Sequence, residues 1–158
     1  MKTVKVISYK AYNNSKAGWV DKVIAILSFG RFSHTEIVFD NNQSFSMETR
    51  NEQKGRFTTM NISKEQWNIQ EIEVTTEEYL LMYNKALKLL GKSYDLLGAL
   101  QSPLRVCLIK KPNKYFCSEV VVEVLKEVPR FKKLFDKACK YSPNRLEKVV
   151  DRFLKKNI

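Results

Sequence analysis

Histidine is almost missing from this chain: His34 is the single one among 158 residues. Cysteine is sparse as well, with Cys107, Cys117 and Cys139 at spacings unrelated to one another. One histidine and no paired cysteines leave too few ligands for a structural zinc site. An odd cysteine count also argues against a disulfide framework, so the expectation is free thiols in a reducing, cytoplasmic setting. No apolar run approaches the roughly 20 residues that a membrane span requires. The opening Met1-Lys2-Thr3-Val4-Lys5-Val6-Ile7-Ser8-Tyr9-Lys10 alternates apolar and charged residues. It reads as a strand rather than a signal peptide, whose apolar core runs unbroken for about 7–15 residues. Internal repeats, low-complexity segments and linkers are absent too. Residues 1–158 therefore read as a single domain, long enough to enclose a core.

Acidic residues are outnumbered, 17 against 28 basic ones, for a formal net charge of +11. The excess lies late in the chain: Lys126 to Ile158 holds 11 Lys and Arg but 4 Asp and Glu. Such a balance suits an anionic partner, among them nucleic acid, phospholipid head groups or acidic cell-wall peptides. It equally suits a solvated basic face that confers solubility. No recognition motif and no aromatic–basic repeat singles out nucleic acid.

What is present falls into strands first and helices second. Residues 3–9 read as a strand. Trp19, Val20, Val23, Ile24 and Leu27 have helical spacing, with Gly30 placed to stop that helix. Residues 34–39 and 44–49 flank the turn-forming Asp40-Asn41-Asn42-Gln43 and read as a hairpin. Arg56–Ile62 and Ile69–Val74 are further strand candidates. Thr75-Thr76-Glu77-Glu78 has the form of a capping box, with Thr75 at the N-cap. Behind it Tyr79, Met82, Tyr83, Ala86, Leu87 and Leu90 form an apolar stripe closed by Gly91. Asn113 or a neighbour is the expected cap of a helix through Val120-Val121-Val122. Pro143, after Ser142, suits the first position of a terminal helix whose buried face carries Leu146, Val149, Val150, Phe153 and Leu154. This order predicts an α+β fold, an antiparallel sheet packed against helices.

Cys117 falls at the first turn of one predicted helix, where peptide dipoles and unpaired N–H groups favour a thiolate. His34 opens a predicted strand. A thiol at a helix N-terminus and an imidazole to exchange its proton are the minimum for thiol nucleophilic catalysis. A third polar group must then orient the imidazole. If 34–39 pairs with 44–49, His34 sits opposite residues 48–49, which makes Glu48 the expected orienting residue. Glu36, two residues along the same strand face, is the alternative. Glu119 stands in the first helical turn, where a carboxylate is favoured by the helix dipole without any catalytic role. Cys107 and Cys139 lack such surroundings and read as structural. No cofactor and no metal is expected.

Four motifs occur in order: Ser33-His34-Thr35-Glu36-Ile37-Val38, an acidic residue on the next strand, Gly91-Lys92-Ser93-Tyr94-Asp95, and Tyr115-Phe116-Cys117-Ser118-Glu119. Together they resemble the circularly permuted branch of the NlpC-type papain-fold hydrolases, the YiiX-like group, in which the cysteine follows the histidine. The resemblance covers about residues 3–155. It implies a permuted papain-like fold and a cysteine amidase or peptidase, with Cys117 as nucleophile, His34 as base and Glu48 as orienting residue. It also implies a pocket role for Tyr94, near the oxyanion. The substrate it implies is an amide in a bacterial cell-wall peptide, or else a lipid acyl or ester bond. An intracellular enzyme rarely meets mature cell wall, an objection that a phage-encoded protein would escape. The opposing reading is a basic nucleic-acid-binding or host-modulating module with an inert thiol.

Overall fold

The computed structural model describes residues 1–12, 30–47, 53–109 and 111–156. Its larger sheet has the order β4-β3-β2-β1-β5 and is antiparallel throughout. The strands are β1 (Lys2–Lys10), β2 (Phe32–Val38), β3 (Gln43–Met47), β4 (Gly55–Thr59) and β5 (Trp67–Val74). The hairpin between β2 and β3 turns at Asn41 and Asn42, whose φ values of 57° and 55° lie in the left-handed region that asparagine tolerates. The predicted strand at Arg56–Ile62 is displaced towards β4, and the one at Ile69–Val74 begins earlier, at Trp67.

The imperfect alternation of β5 has a physical cause: this part of the sheet buries side chains on both faces. Ile72 and Val74 join the main core, whereas Trp67 forms a second cluster with Ile7 and Val38, against which Tyr9, Met60, Ile62 and Ile69 pack. A strand apolar on both sides loses the clean period of two.

Helix α1 (Thr76–Leu89) starts at the capping box read from the sequence: Thr75 Oγ1 accepts from the Glu78 N–H, and Glu78 Oε2 accepts from the Thr75 N–H. It ends before Gly91, whose φ of 74° reverses the chain without a Cβ penalty. The buried stripe runs through Met82, Ala86 and Leu89. That phase turns Leu87 outward, and Leu90 lies past the last turn, so both are exposed rather than buried. The helix expected over Trp19–Phe29 falls outside the described residues.

Short strands β6 (Ser93–Tyr94) and β7 (Lys114–Tyr115) pair in parallel. Between them lies α2 (Leu96–Gln101), capped by Asp95, whose Oδ1 accepts from the Gly98 N–H at 3.0 Å. After β7 come α3 (Cys117–Leu125), α4 (Pro129–Lys132) and α5 (Pro143–Lys156). Phe116, not Asn113, is the N-cap of α3, and its N–H reaches Glu119 Oε2 at 3.4 Å. The valines of α3 and Leu125 pack on Ile37, Phe45 and Met47, and Leu146 and Val150 of α5 close the same core. Burying a side chain of this size is worth about 1.5–3 kcal/mol. Here that term holds the N-terminus of α3 against β2. Among the described residues no helix is long and apolar enough to cross a membrane.

The expectation of free thiols throughout does not hold. Cys107 and Cys139, 32 residues apart, are joined by a disulfide, which leaves Cys117 as the free cysteine. Their spacing matches no framework because the folding of α2 and α3 brings two separate loops together. The argument for a reducing setting loses its ground with it.

Candidate active site

Three elements converge on the thiol. Helix α3 presents Cys117 as its first residue, 4 % exposed. Ser118 anchors that turn, its Oγ donating to the Tyr141 carbonyl at 2.6 Å. Strand β2 brings His34 to the sulfur, and the imidazole and the thiol are hydrogen-bonded. The start of β2 is itself fixed by Asn144 of α5, whose Oδ1 accepts from the Phe32 N–H and whose Nδ2 donates to the Phe32 carbonyl, both at 2.9 Å. Thus the thiol and the imidazole sit on neighbouring elements tied together through α5.

The carboxylate beside the imidazole is that of Glu36, with Oε1 at 3.1 Å from His34 Nε2. Glu48 lies outside the described residues. The contact with Glu36 follows from strand geometry. Side chains at i and i+2 share a face about 6.6 Å apart, a gap that an imidazole and a glutamate can close between them. Pairing of Ile7 with Glu36 and Tyr9 with His34 sets both on the face that carries Trp67. The Trp67 ring stands edge-on to the imidazole, 6.5 Å between centroids.

These neighbours govern protonation. Burial pushes the Cys117 thiol up, but the His34 charge and hydrogen bond, with backbone N–H groups of Thr35 and Ser118, bring it below the ordinary value of 9.0. Burial disfavours the imidazolium, yet the Cys117 thiolate and then the Glu36 carboxylate carry His34 up to about 10. For Glu36, too, burial favours the neutral acid, and the hydrogen bond and charge of His34 outweigh it, holding the carboxyl below its usual range. The directions agree on one state, a thiolate beside an imidazolium backed by a carboxylate.

Tyr94 is within reach of the charge on the same sulfur. Burial, with the negative charges of Cys117 and Asp95, holds its hydroxyl well above the usual tyrosine range, so it stays a protonated donor. It is carried there by β6, where Tyr94 pairs with Tyr115, and by the bond from the Asp95 N–H to the Tyr115 carbonyl at 2.8 Å. Glu119, by contrast, is spent on the start of α3.

A groove of 610 Å³ lined by residues such as Ile72, Thr75, Arg130 and Phe153 includes none of these side chains. Among the described residues no group of three His, Cys, Asp or Glu side chains is arranged to hold a metal ion. Sequence reading missed the pairing of Cys107 with Cys139, for which no local signal exists. Compared with known proteins, the chain matches no family model, no curated protein and no solved structure.

Proposed function

We propose that the protein is a thiol hydrolase of amide or ester bonds, acting through an acyl-enzyme on Cys117 and built like the permuted papain-type enzymes that its motifs resemble. The observation that carries this reading is the buried free thiol at a helix N-terminus, hydrogen-bonded to an imidazole that a buried carboxylate engages from its other side. With His34 Nε2 on Glu36, Nδ1 is left to serve the sulfur. The thiolate attacks the substrate carbonyl carbon, and the carbonyl oxygen takes up the negative charge. The Cys117 N–H, one of the unpaired donors of the first helical turn, and the Tyr94 hydroxyl stabilise that oxyanion. The His34 imidazolium protonates the departing amine or alcohol as the carbon–leaving-group bond breaks. Neutral His34 then takes a proton from water, the hydroxide displaces the thiolate, and the carboxylic acid leaves.

For the acyl group, a cell-wall peptide amide is the substrate that the family resemblance favours. A lipid acyl chain is the second reading, supported by the exposed leucines of α2, a helix whose Gly98 packs on Phe116. A non-catalytic basic module with an inert thiol has the charge of the chain in its favour but leaves the thiolate–imidazolium pair without a purpose.

The test is intact-mass analysis after rapid mixing with para-nitrophenyl butyrate and an acid quench. A butyryl adduct on the peptide containing Cys117, lost in Cys117→Ala and slow to form in His34→Ala, is expected. An adduct that persists in Cys117→Ala, or none in the parent, contradicts the reading.

A further inference from the structure

The segment from Leu96 to Lys114 carries a group of exposed apolar side chains. It presents Leu96, Leu97, Leu100, Leu104, Leu108 and Ile109 to solvent, with Leu96, Leu104 and Leu108 respectively 64 %, 66 % and 80 % exposed. Scattered exposed leucines are ordinary, but a group of them concentrated in one element and its following loop is not. Leu96 and Leu100 stand four residues apart on α2, which puts them on one side, and Leu104 ends the tighter turn that follows.

The loop is held rather than loose. Gln101 Oε1 accepts from the Leu108 N–H at 2.9 Å and the Ile109 N–H at 3.1 Å, while its Nε2 donates to the Leu97 carbonyl at 3.2 Å. The disulfide to Cys139 pins the same loop to the body of the protein. Loop backbone is thus tied down while its largest apolar side chains remain outside.

The same segment contains Arg105, Lys110, Lys111 and Lys114 and no acidic residue. Arg105 and Lys111 are exposed. A fixed apolar face on a segment whose charges are all positive suits the interface of a bilayer, with side chains among the acyl chains and bases among anionic head groups. It suits a second copy of the chain poorly, because a symmetric contact would press this all-positive segment against itself.

The buried side of α2, opposite Leu96 and Leu100, is the side that packs towards α3. A Cβ placed on Gly98 would lie 2.7 Å from Asp95 Oδ2 and 3.2 Å from Phe116 Cδ1, so α2 is seated directly on the residue before Cys117. We propose that the leucine face of 96–109 is an interfacial docking surface that seats the protein on anionic phospholipid. The inference does not rest on the thiol-hydrolase reading.

The experiment is co-sedimentation with vesicles of equal parts phosphatidylglycerol and phosphatidylcholine, against vesicles of phosphatidylcholine alone. Binding should require phosphatidylglycerol and fall at least about ten-fold in Leu104→Glu/Leu108→Glu, since each glutamate removes apolar insertion and adds charge of the repelled sign. Circular dichroism checks that the doubly substituted protein is folded. Independently, the tryptophan of Leu108→Trp should shift to the blue on anionic vesicles and be quenched by brominated lipid. Cys117→Ser should sediment like the parent, which separates docking from catalysis. Binding indifferent to the leucines, or absent on anionic vesicles, overturns the proposal. So does a concentration-dependent dimer that the double substitution disperses.

Discussion

Exchanging Glu36 for glutamine removes one charge and keeps the shape of the side chain. In the parent, Glu36 Oε1 lies 3.1 Å from His34 Nε2, and its carboxylate is 3 % exposed, so bulk water does little to weaken the contact. A hydrogen bond to a charged group contributes about 1.5–3 kcal/mol, which at 1.4 kcal/mol per factor of ten is roughly 10–150-fold in rate if the contact tightens on the imidazolium. Turnover of a soluble ester by Glu36→Gln should therefore fall by that range with KM little changed. The pH profile gives an independent sign. Glu36 is among the groups that raise His34, so its loss lowers the imidazole, and the alkaline limb moves down from about 10. Stopped-flow acylation and steady-state turnover across pH, in Glu36→Gln and in Glu48→Gln, read both effects. A Glu36→Gln enzyme within about two-fold of the parent, with the loss and the shift appearing in Glu48→Gln, refutes the assignment of Glu36.

Tyr94→Phe should lower kcat about a hundred- to a thousand-fold, the cost of removing one oxyanion donor, while thiol alkylation at Cys117 by iodoacetamide continues. Equal losses in both readouts would show Tyr94 to be a packing aromatic only. Asn144→Ala strands the N–H and carbonyl of Phe32, and about 2–4 kcal/mol of stability should be lost in urea unfolding; a change under about 0.5 kcal/mol would contradict the role given to it. Reducing the Cys107–Cys139 bridge, which closes 32 residues, should cost about 3–4 kcal/mol by loop entropy. An unchanged urea midpoint under dithiothreitol would show that the bridge does not constrain the fold.

Much of the layout is legible in local pattern because local physics decides it. The capping box at Thr75 and Glu78, the asparagine turn of the hairpin and Pro143 opening the last helix all depend on a few neighbouring residues. The same holds for Cys117 as the first residue of α3. What escaped local pattern depends on tertiary position. The carboxylate at the imidazole is not such a case, since Glu36 is the alternative that the shared strand face offers, and Glu48 lies outside the described residues. The helical stripe includes Leu87, but the burial of Leu89 sets a phase that excludes it. Cys107 and Cys139 are joined by the packing of two loops, and nothing in either loop names the other. The leucines of 96–109 illustrate the reverse case. Apolar residues in a sequence read as core, and only the fold reveals that these face outward.

The proposed catalysis depends most on a thiol whose acidity is set by its histidine. The direct measurement is the rate of iodoacetamide labelling at Cys117 against pH, followed by mass spectrometry, in the parent and in His34→Ala. The parent thiol should titrate below the ordinary 9.0. Without the imidazole, only the backbone N–H groups of Thr35 and Ser118 oppose burial, so the thiol moves up; at the ordinary 9.0 about one part in a hundred is thiolate at pH 7. Each unit of upward shift removes ten-fold in thiolate, of which greater nucleophilicity returns about three-fold, for a net loss of about three-fold per unit. Labelling at pH 7 should thus slow markedly in His34→Ala, with its midpoint moved to higher pH. A parent thiol that titrates at or above its ordinary value, with a profile indifferent to His34, would contradict the catalytic pair.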